Sequence, residues 1–292
     1  MPLGVFEEPE SRRVKPFKSQ LLKWVGNKQR FAHNIVSYFP SQFGTYYEPF
    51  IGSGSVLATL APAQAVGSDV FPPLTEIWQT LHRAPETLIR WYAERRASMM
   101  GGEKVAQYER IKASFNAAPN AADLLFLCRS CYGGVVRFRK RDGYMSTRCG
   151  VHTPIPATKF ALRVREWSRR TAGTTFLLAD FEEAMSQAKA GDFVYCDPPY
   201  TDTQAILYGA QSFRLSRLFR VIGECKARGV KVALSIDGTK RTGEKICAIP
   251  IPNDLFEHEA LVNCGRSMLR RFQMGGQSLE GEVVADRLLL TY

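Results

Sequence analysis

Seven short runs rich in β-branched and aromatic residues recur along this chain, with helical patterns between most of them, and that alternation limits the available folds more than any other feature. The runs are Thr45–Phe50, Ala65–Val70, Thr175–Ala179, Phe193–Cys196, Lys231–Ile236, His258–Val262 and Arg287–Tyr292. Asn27–Tyr38, Val56–Leu60, Phe181–Lys189 and Phe213–Ala227 read as intervening helices. Such a succession predicts an α/β fold, a sheet with crossover helices. Between Pro72 and Arg170 the pattern changes to helical stretches rich in Arg, Trp and Ala, ending in a Gly/Arg-rich loop, Tyr132–Gly150. In a chain of 292 residues this predicts one medium domain carrying an insertion, not two independent folds.

Charge singles out the same middle third. The formal net charge is +11, and residues 76–170 hold 18 Lys and Arg against 8 Asp and Glu, nearly all of the excess. Charge so concentrated suggests that the middle segment faces a polyanion such as nucleic acid. No run of about 18 apolar residues is present and residues 1–18 lack an apolar signal core, so a cytoplasmic protein with no membrane partner is expected. Seven cysteines, at positions 128, 131, 149, 196, 225, 247 and 264, are odd in number and scattered, which predicts reduced thiols over a disulfide framework.

The sharpest local signal is Val194-Tyr195-Cys196-Asp197-Pro198-Pro199-Tyr200. An apolar strand delivers a carboxylate, two prolines and an aromatic ring to its C-terminal edge, where open α/β sheets bind ligands. The combination suits an exocyclic aromatic amine. Asp197 can accept one amine N–H and the Pro198 carbonyl another, while prolines contribute no competing donors. Tyr200 can stack on a base. As positive charge develops on the nitrogen, a preplaced carboxylate stabilises it. Read blandly, the same residues are a strand-ending turn.

Glu48-Pro49-Phe50-Ile51-Gly52-Ser53-Gly54-Ser55-Val56 takes a strand through a Gly-rich turn into a helix. Bare Gly52 and Gly54 are expected to let backbone approach a ligand, although the turn lacks the full dinucleotide or P-loop pattern. Asp69, at the end of the next run, stands about where Rossmann-like folds bind ribose hydroxyls; its bland reading is a strand-end cap. Upstream, Lys28 can pair with a carboxylate and Trp24 can pack on a cofactor, or they are a surface lysine and a core tryptophan.

Taken in order, Lys23-Trp24-Val25-Gly26-Asn27-Lys28, the Glu48–Val56 turn, the Asp69 strand and Tyr195-Cys196-Asp197-Pro198-Pro199-Tyr200 resemble the Dam-type (D12 class) DNA adenine-N6 methyltransferases. Cys131-Tyr132-Gly133-Gly134-Val135-Val136-Arg137-Phe138 followed by Gly143-Tyr144 is similar to that family's loop Cys-Tyr-Asn-Gly-Leu-x-Arg before Gly-Glu-Phe. Arg266-Ser267 and Leu288–Tyr292 resemble its closing strands. The resemblance spans about Leu22 to Tyr292. It implies a Rossmann-like S-adenosylmethionine-dependent methyltransferase sheet from residues 16–74 and 172–292, with a helical target-recognition subdomain, residues 75–171, inserted. It implies that Trp24, Lys28, Asp69 and Asp197 surround S-adenosylmethionine, with Glu48, Pro49, Phe50, Gly52 and Gly54 beneath, and that Asp197, Pro198, Pro199 and Tyr200 form the pocket of a flipped adenine. Lys23, Tyr132, Arg137, Arg139, Lys140 and Arg141 are the implied contacts to double-stranded DNA. A monomer or weak dimer is expected, with a cognate restriction endonuclease as a functional partner and no metal.

This sequence departs from the family in the loop. Gly133 stands where members often carry Asn, and Met145-Ser146-Thr147-Arg148-Cys149-Gly150 replaces the usual Asn-Val-Pro-Phe-Gly. The chemistry therefore carries over more securely than a GATC-like target. Other readings are methylation of cytosine N4 or of an RNA adenine, which present a similar amine, and a non-catalytic DNA-binding protein. A structural zinc on Cys128, Cys131, Cys149 and His152 is the competing local motif.

Overall fold

The computed structural model describes residues 4–5, 14–199, 213–237, 239–240, 245–246, 251–263 and 285–292. In chain order its elements are β1 (Gly4–Val5), α1 (Ala32–Val36), β2 (Tyr46–Glu48), α2 (Ser55–Leu60), β3 (Ala65–Asp69), α3 (Pro72–Arg83), α4 (Pro85–Met100), α5 (Lys104–Ala117), α6 (Ala121–Ser130), α7 (Ala157–Arg170), β4 (Thr174–Leu178), α8 (Phe181–Ser186), β5 (Phe193–Cys196), α9 (Leu215–Ala227), β6 (Lys231–Asp237), β7 (Thr239–Lys240), β8 (Lys245–Ile246), β9 (His258–Asn263) and β10 (Ala285–Leu290). All seven expected strands form, within a few residues of their anticipated ends. The expected helix Asn27–Tyr38 is helical only as α1. The Asn27 side chain accepts the Gln29 N–H at 2.7 Å and the Lys28 carbonyl accepts the Phe31 N–H at 3.0 Å, so local turns replace the first helical turns.

Eight strands make one sheet in the order β1-β9-β10-β6-β5-β2-β3-β4, and β7 pairs with β8 separately. From β6 across to β4 every pairing is parallel, while β10 runs antiparallel to both β6 and β9. The chain moves outward from β2 to β4 and then returns to lay β5 on the other side of β2. That reversal opens a crevice at the C-terminal ends of β2 and β5, the place where open α/β sheets hold ligands.

Both faces of the sheet are covered, so its strands carry apolar residues on both sides. Tyr46, Phe193, Tyr195 and Leu288 join one core with α1 and α2. Tyr47, Val194, Cys196, Leu234 and Leu289, one residue out of phase, join a second with α8 and α9. The first core continues into the helical segment between β3 and β4. Trp78 of α3 lies 5.5 Å from Trp167 of α7 and 5.8 Å from Phe176 of β4, ring centre to ring centre. Helix α6 is buried along its whole length and packs on α3, α4 and α5, with its Asp123 and Arg129 each given a polar partner.

Several arginines of the middle segment are engaged within the fold. Arg95 pairs with Asp123 at 2.7 Å, buried Arg129 donates to the Gln20 and Leu21 carbonyls, Arg163 donates to Gln20, and Arg170 reaches the carbonyls of Ala58 and Thr59. These guanidiniums tie the helices to the N-terminal segment and to α2. The Gly/Arg-rich loop folds as an irregular hairpin, with bridges Cys131↔Cys149 and Phe138↔Met145. Among the described residues no helix is long and apolar enough to cross a membrane.

Candidate active site

Four strand ends converge on one cavity. Its wall includes Trp24, Val25 and Lys28 from the segment before α1, then Glu48, Pro49, Phe50, Gly52 and Ser53 after β2, and Asp69 and Phe71 after β3. Asp180 and Phe181 after β4, Asp197 and Pro199 after β5, and Phe213 and Arg217 at α9 complete it. The sequence motifs are dispersed along the chain between Trp24 and Pro199, and parallel pairing sets their carboxylates side by side. Tyr46 of β2 lies opposite both Ala65 of β3 and Phe193 of β5, so these parallel strands begin in register and run out toward the same edge of the sheet.

At the centre is a buried ion triad. The Lys28 Nζ stands 2.7 Å from an Asp286 oxygen and 3.2 Å from an Asp197 oxygen. Burial alone would lower the Lys28 pKa, but Asp197 and Asp286 overcome it and hold the ammonium well above its usual value. Among the described residues Glu48 has no ion-pair partner. Its carboxylate accepts the Tyr46 hydroxyl at 2.7 Å, and burial, with Asp197 nearby, pushes its pKa up to about 8 despite that hydrogen bond. Burial likewise raises Asp69 to about 6, while its two oxygens accept the backbone N–H groups of Phe71 at 3.1 Å and Gly52 at 3.3 Å. Asp69 thus fastens the Gly52 turn and still borders the cavity.

The two glycines occupy different surroundings. Gly52 borders the cavity, but a Cβ there would point at Trp24, 3.2 Å away. Gly54 is not on the wall: it begins α2 at φ +62°, and a Cβ would meet Trp78 at 3.1 Å and Trp167 at 3.3 Å. Its missing side chain makes room for these two tryptophans. Pro198 is buried behind the cavity surface, whereas Pro199 reaches it. Tyr200 lies outside the described residues, as do Arg266 and Ser267.

The opposite wall holds residues that the motifs did not single out. Phe50 stacks on Phe181 at 5.3 Å and meets Phe213 edge-on at 5.7 Å. Arg217 covers the Phe181 ring at 4.8 Å and pairs with Asp180 at 2.8 Å. Asp180 also caps α8 by accepting the Glu182 N–H. An acid followed by an aromatic at the end of a parallel strand was the available signal.

The residues expected on DNA divide into two groups. Lys23 packs against Gly134 at the base of the hairpin, where a Cβ would lie 2.8 Å from its side chain, and Tyr132 and Arg137 share that arm. Arg139, Lys140 and Arg141 sit at the tip, where Asp142 pairs with both Arg139 and Arg141 at 3.2 Å. Among the described residues no group of three or more His, Cys, Asp or Glu side chains is arranged to hold a metal ion; Cys128 points into the core and His152 is exposed.

A cavity at the strand ends, bordered by Asp197 and Pro199, the Gly52 turn and Asp69, fits a Rossmann-like sheet. Residues 24–258 match the D12 class N6 adenine-specific DNA methyltransferases, and the chain belongs to that family. It is 27% identical over 252 residues to the DNA N-6-adenine-methyltransferase of Escherichia phage P1, across 81% of this chain and 32% of that protein. Against the Type II methyltransferase M1.LlaDCHI of Lactococcus lactis subsp. cremoris the identity is 26% over 243 residues, 76% of this chain and 81% of the relative. A DNA adenine methylase of Vibrio cholerae is 25% identical over 238 residues, 76% and 82% of the two chains. This chain therefore spans about a third of the phage P1 relative and about four fifths of the other two.

Proposed function

We propose that this protein transfers a methyl group from S-adenosylmethionine to the N6 amine of adenine in duplex DNA. The observation that carries the reading is the position of Asp197: at the C-terminal end of β5, 3.2 Å from buried Lys28, and on one cavity wall with the Gly52 turn and Asp69. The donor set fits the cofactor. Asp69 offers carboxylate oxygens to ribose hydroxyls, the Phe50–Phe181 pair offers an apolar slot for a purine, and Glu48 and Asp197 supply negative charge for a sulfonium and an amino group. When bound there, S-adenosylmethionine supplies an electrophilic methyl group.

The chain's own residues hold and polarise the amine. Asp197 accepts one of its N–H bonds, and the Pro198 carbonyl is the proposed acceptor of the other, drawing the nitrogen lone pair out of conjugation with the ring. As the nitrogen bonds to the methyl carbon, whose bond to the sulfonium sulfur would break to leave a neutral thioether, the nitrogen gains positive charge that the adjacent carboxylate stabilises; the excess proton then leaves to solvent. Lys28, itself paired with Asp286, anchors the Asp197 carboxylate at the cavity edge. Because the target amine is shielded in the duplex stack, the base must be flipped out. Residues 75–171 are the proposed target-recognition insertion, with the 131–149 hairpin toward the DNA.

Incubation with tritiated S-adenosylmethionine and duplex DNA, followed by nucleoside analysis, tests the reading. Label in N6-methyladenine that Asp197→Ala abolishes is the expected result. Label in N4-methylcytosine, in RNA alone, or retained by Asp197→Ala overturns it.

A further inference from the structure

The hairpin carries a second guanidinium on the face that presents Arg137. Its return arm is clamped from behind by α5: Asn116 accepts the Met145 N–H at 2.7 Å and donates to the Met145 carbonyl, and the Tyr108 hydroxyl donates to the Thr147 carbonyl at 2.8 Å. Met145 and Thr147 are buried on that side. Alternation along an extended arm turns Ser146 and Arg148 the other way, and both are exposed. Exposed Arg137 lies directly across: its N–H donates to the Thr147 hydroxyl and its carbonyl accepts the Ser146 N–H, each at 2.9 Å.

The two arms are unequal. Between the bridges the outgoing arm has residues 132–137 and the return arm only 146–148. The extra length is taken up by a 3₁₀ turn, Tyr132–Gly134, in which Gly133 and Gly134 both adopt φ +67°. That turn lays the Tyr132 ring under the Arg148 guanidinium, 4.6 Å from its centre. A stacked guanidinium loses rotamer freedom before any ligand arrives, while its N–H edge stays open. Among the described residues, Arg137 and Arg148 make no ion pair, in contrast to Arg139 and Arg141 at the tip.

We propose that Arg148, stacked on Tyr132, is a base-reading residue that selects a guanine about two base pairs from the base pair facing Arg137. A guanidinium edge matches the O6 and N7 acceptors of guanine in the major groove. Ser146, beside Arg137, and Arg148 are two residues apart, about 6.6 Å along an extended arm, close to two base steps of about 3.4 Å. This rests on DNA being the substrate.

Selection of bound sequences from a randomised duplex library by the full-length protein tests it without requiring turnover. Arg148→Ala should weaken the selected site roughly ten- to a hundred-fold and erase one guanine preference. The position lost should differ from that lost in Arg137→Ala. Arg148→Lys keeps the charge and should still lose the preference, whereas Tyr132→Phe keeps the ring and should retain it. Equal weakening on every sequence, full preference in Arg148→Lys, or a wild-type protein selecting no guanine overturns the proposal. Adenine methylation by the wild type is measured separately, so the proposed function can stand while this assignment falls.

Discussion

Lys28 and Asp286, 258 residues apart in the chain, meet at 2.7 Å and form the buried half of a triad whose third member, Asp197, faces the cavity. Removing one member of a buried pair leaves an uncompensated charge, at a cost of about 3–5 kcal/mol. Lys28→Met should therefore lose about that much stability, because it strands two carboxylates. The double variant Lys28→Met/Asp286→Leu leaves only Asp197 and should recover more than half of the loss without recovering methyl transfer. Urea unfolding paired with the transfer assay reads both effects. Equal stability of single and double variants would remove charge as the reason Asp286 is needed.

Glu48 predicts a pH dependence. Its carboxyl titrates at about 8 in the fold against an ordinary 4.5, so between those values the native state holds a proton that the unfolded chain releases. Its contribution is fully present below about 4.5 and is lost progressively as pH rises to about 8, a swing on the order of a few kcal/mol. Glu48→Gln, neutral throughout, should gain thermal stability relative to wild type between pH 5 and pH 8. Cofactor affinity should move oppositely in the wild type, because a bound sulfonium favours the ionised carboxylate. Calorimetry in buffers of different ionisation enthalpy should detect proton release near pH 7; a pH-independent stability difference would contradict the buried, protonated state.

The strands were legible in the sequence because two-sided burial and strand-end acids leave local marks: Phe193–Cys196 is apolar throughout and stops at Asp197. What escaped depends on pairing across the sheet. Asp286 looks like one polar residue in a closing strand, and only the register that sets it opposite Asp237 of β6 and Val262 of β9 brings it to Lys28. Asp180 reads locally as a helix cap, which it is, and its place on the cavity wall follows from the return of the chain to β5. Gly54 was legible as a glycine needed for a turn, but the tryptophans that fill its space come from α3 and α7. Net charge marked out the middle segment without distinguishing arginines that bind carbonyls within the fold from those on the hairpin.

Gly54 therefore separates two reasons for a glycine. Its φ of +62° costs an alanine roughly 1–2 kcal/mol, and the added methyl must also displace Trp78 and Trp167, for which an overpacked core loses about 1–3 kcal/mol more. Gly143 has φ +66° with nothing near the missing Cβ, so Gly143→Ala should show only the backbone cost. Denaturant midpoints should rank Gly54→Ala well below Gly143→Ala and Gly143→Ala modestly below wild type. Equal losses would mean that the tryptophans yield freely.

The hairpin tip yields a prediction about charge. Asp142 accepts the Tyr144 N–H and pairs with Arg139 and Arg141, contacts that keep its carboxyl below the usual range. It is thus charged throughout the working pH range and offsets part of the cationic tip. Asp142→Asn preserves the size of the side chain, removes the charge and frees two guanidiniums for phosphate oxygens. Each added phosphate contact steepens the dependence of log affinity on log salt by about 0.9 on duplex DNA. Asp142→Asn should accordingly bind cognate and non-cognate duplexes more tightly at low salt, with a slope steeper by about one to two contacts and no altered base preference. Lys140→Ala should shift the slope the other way by about one contact. Binding isotherms at several salt concentrations on a selected and a scrambled duplex decide the matter. An unchanged slope in Asp142→Asn would mean that the tip does not reach the backbone, and a gain confined to the selected duplex would assign it to base reading instead.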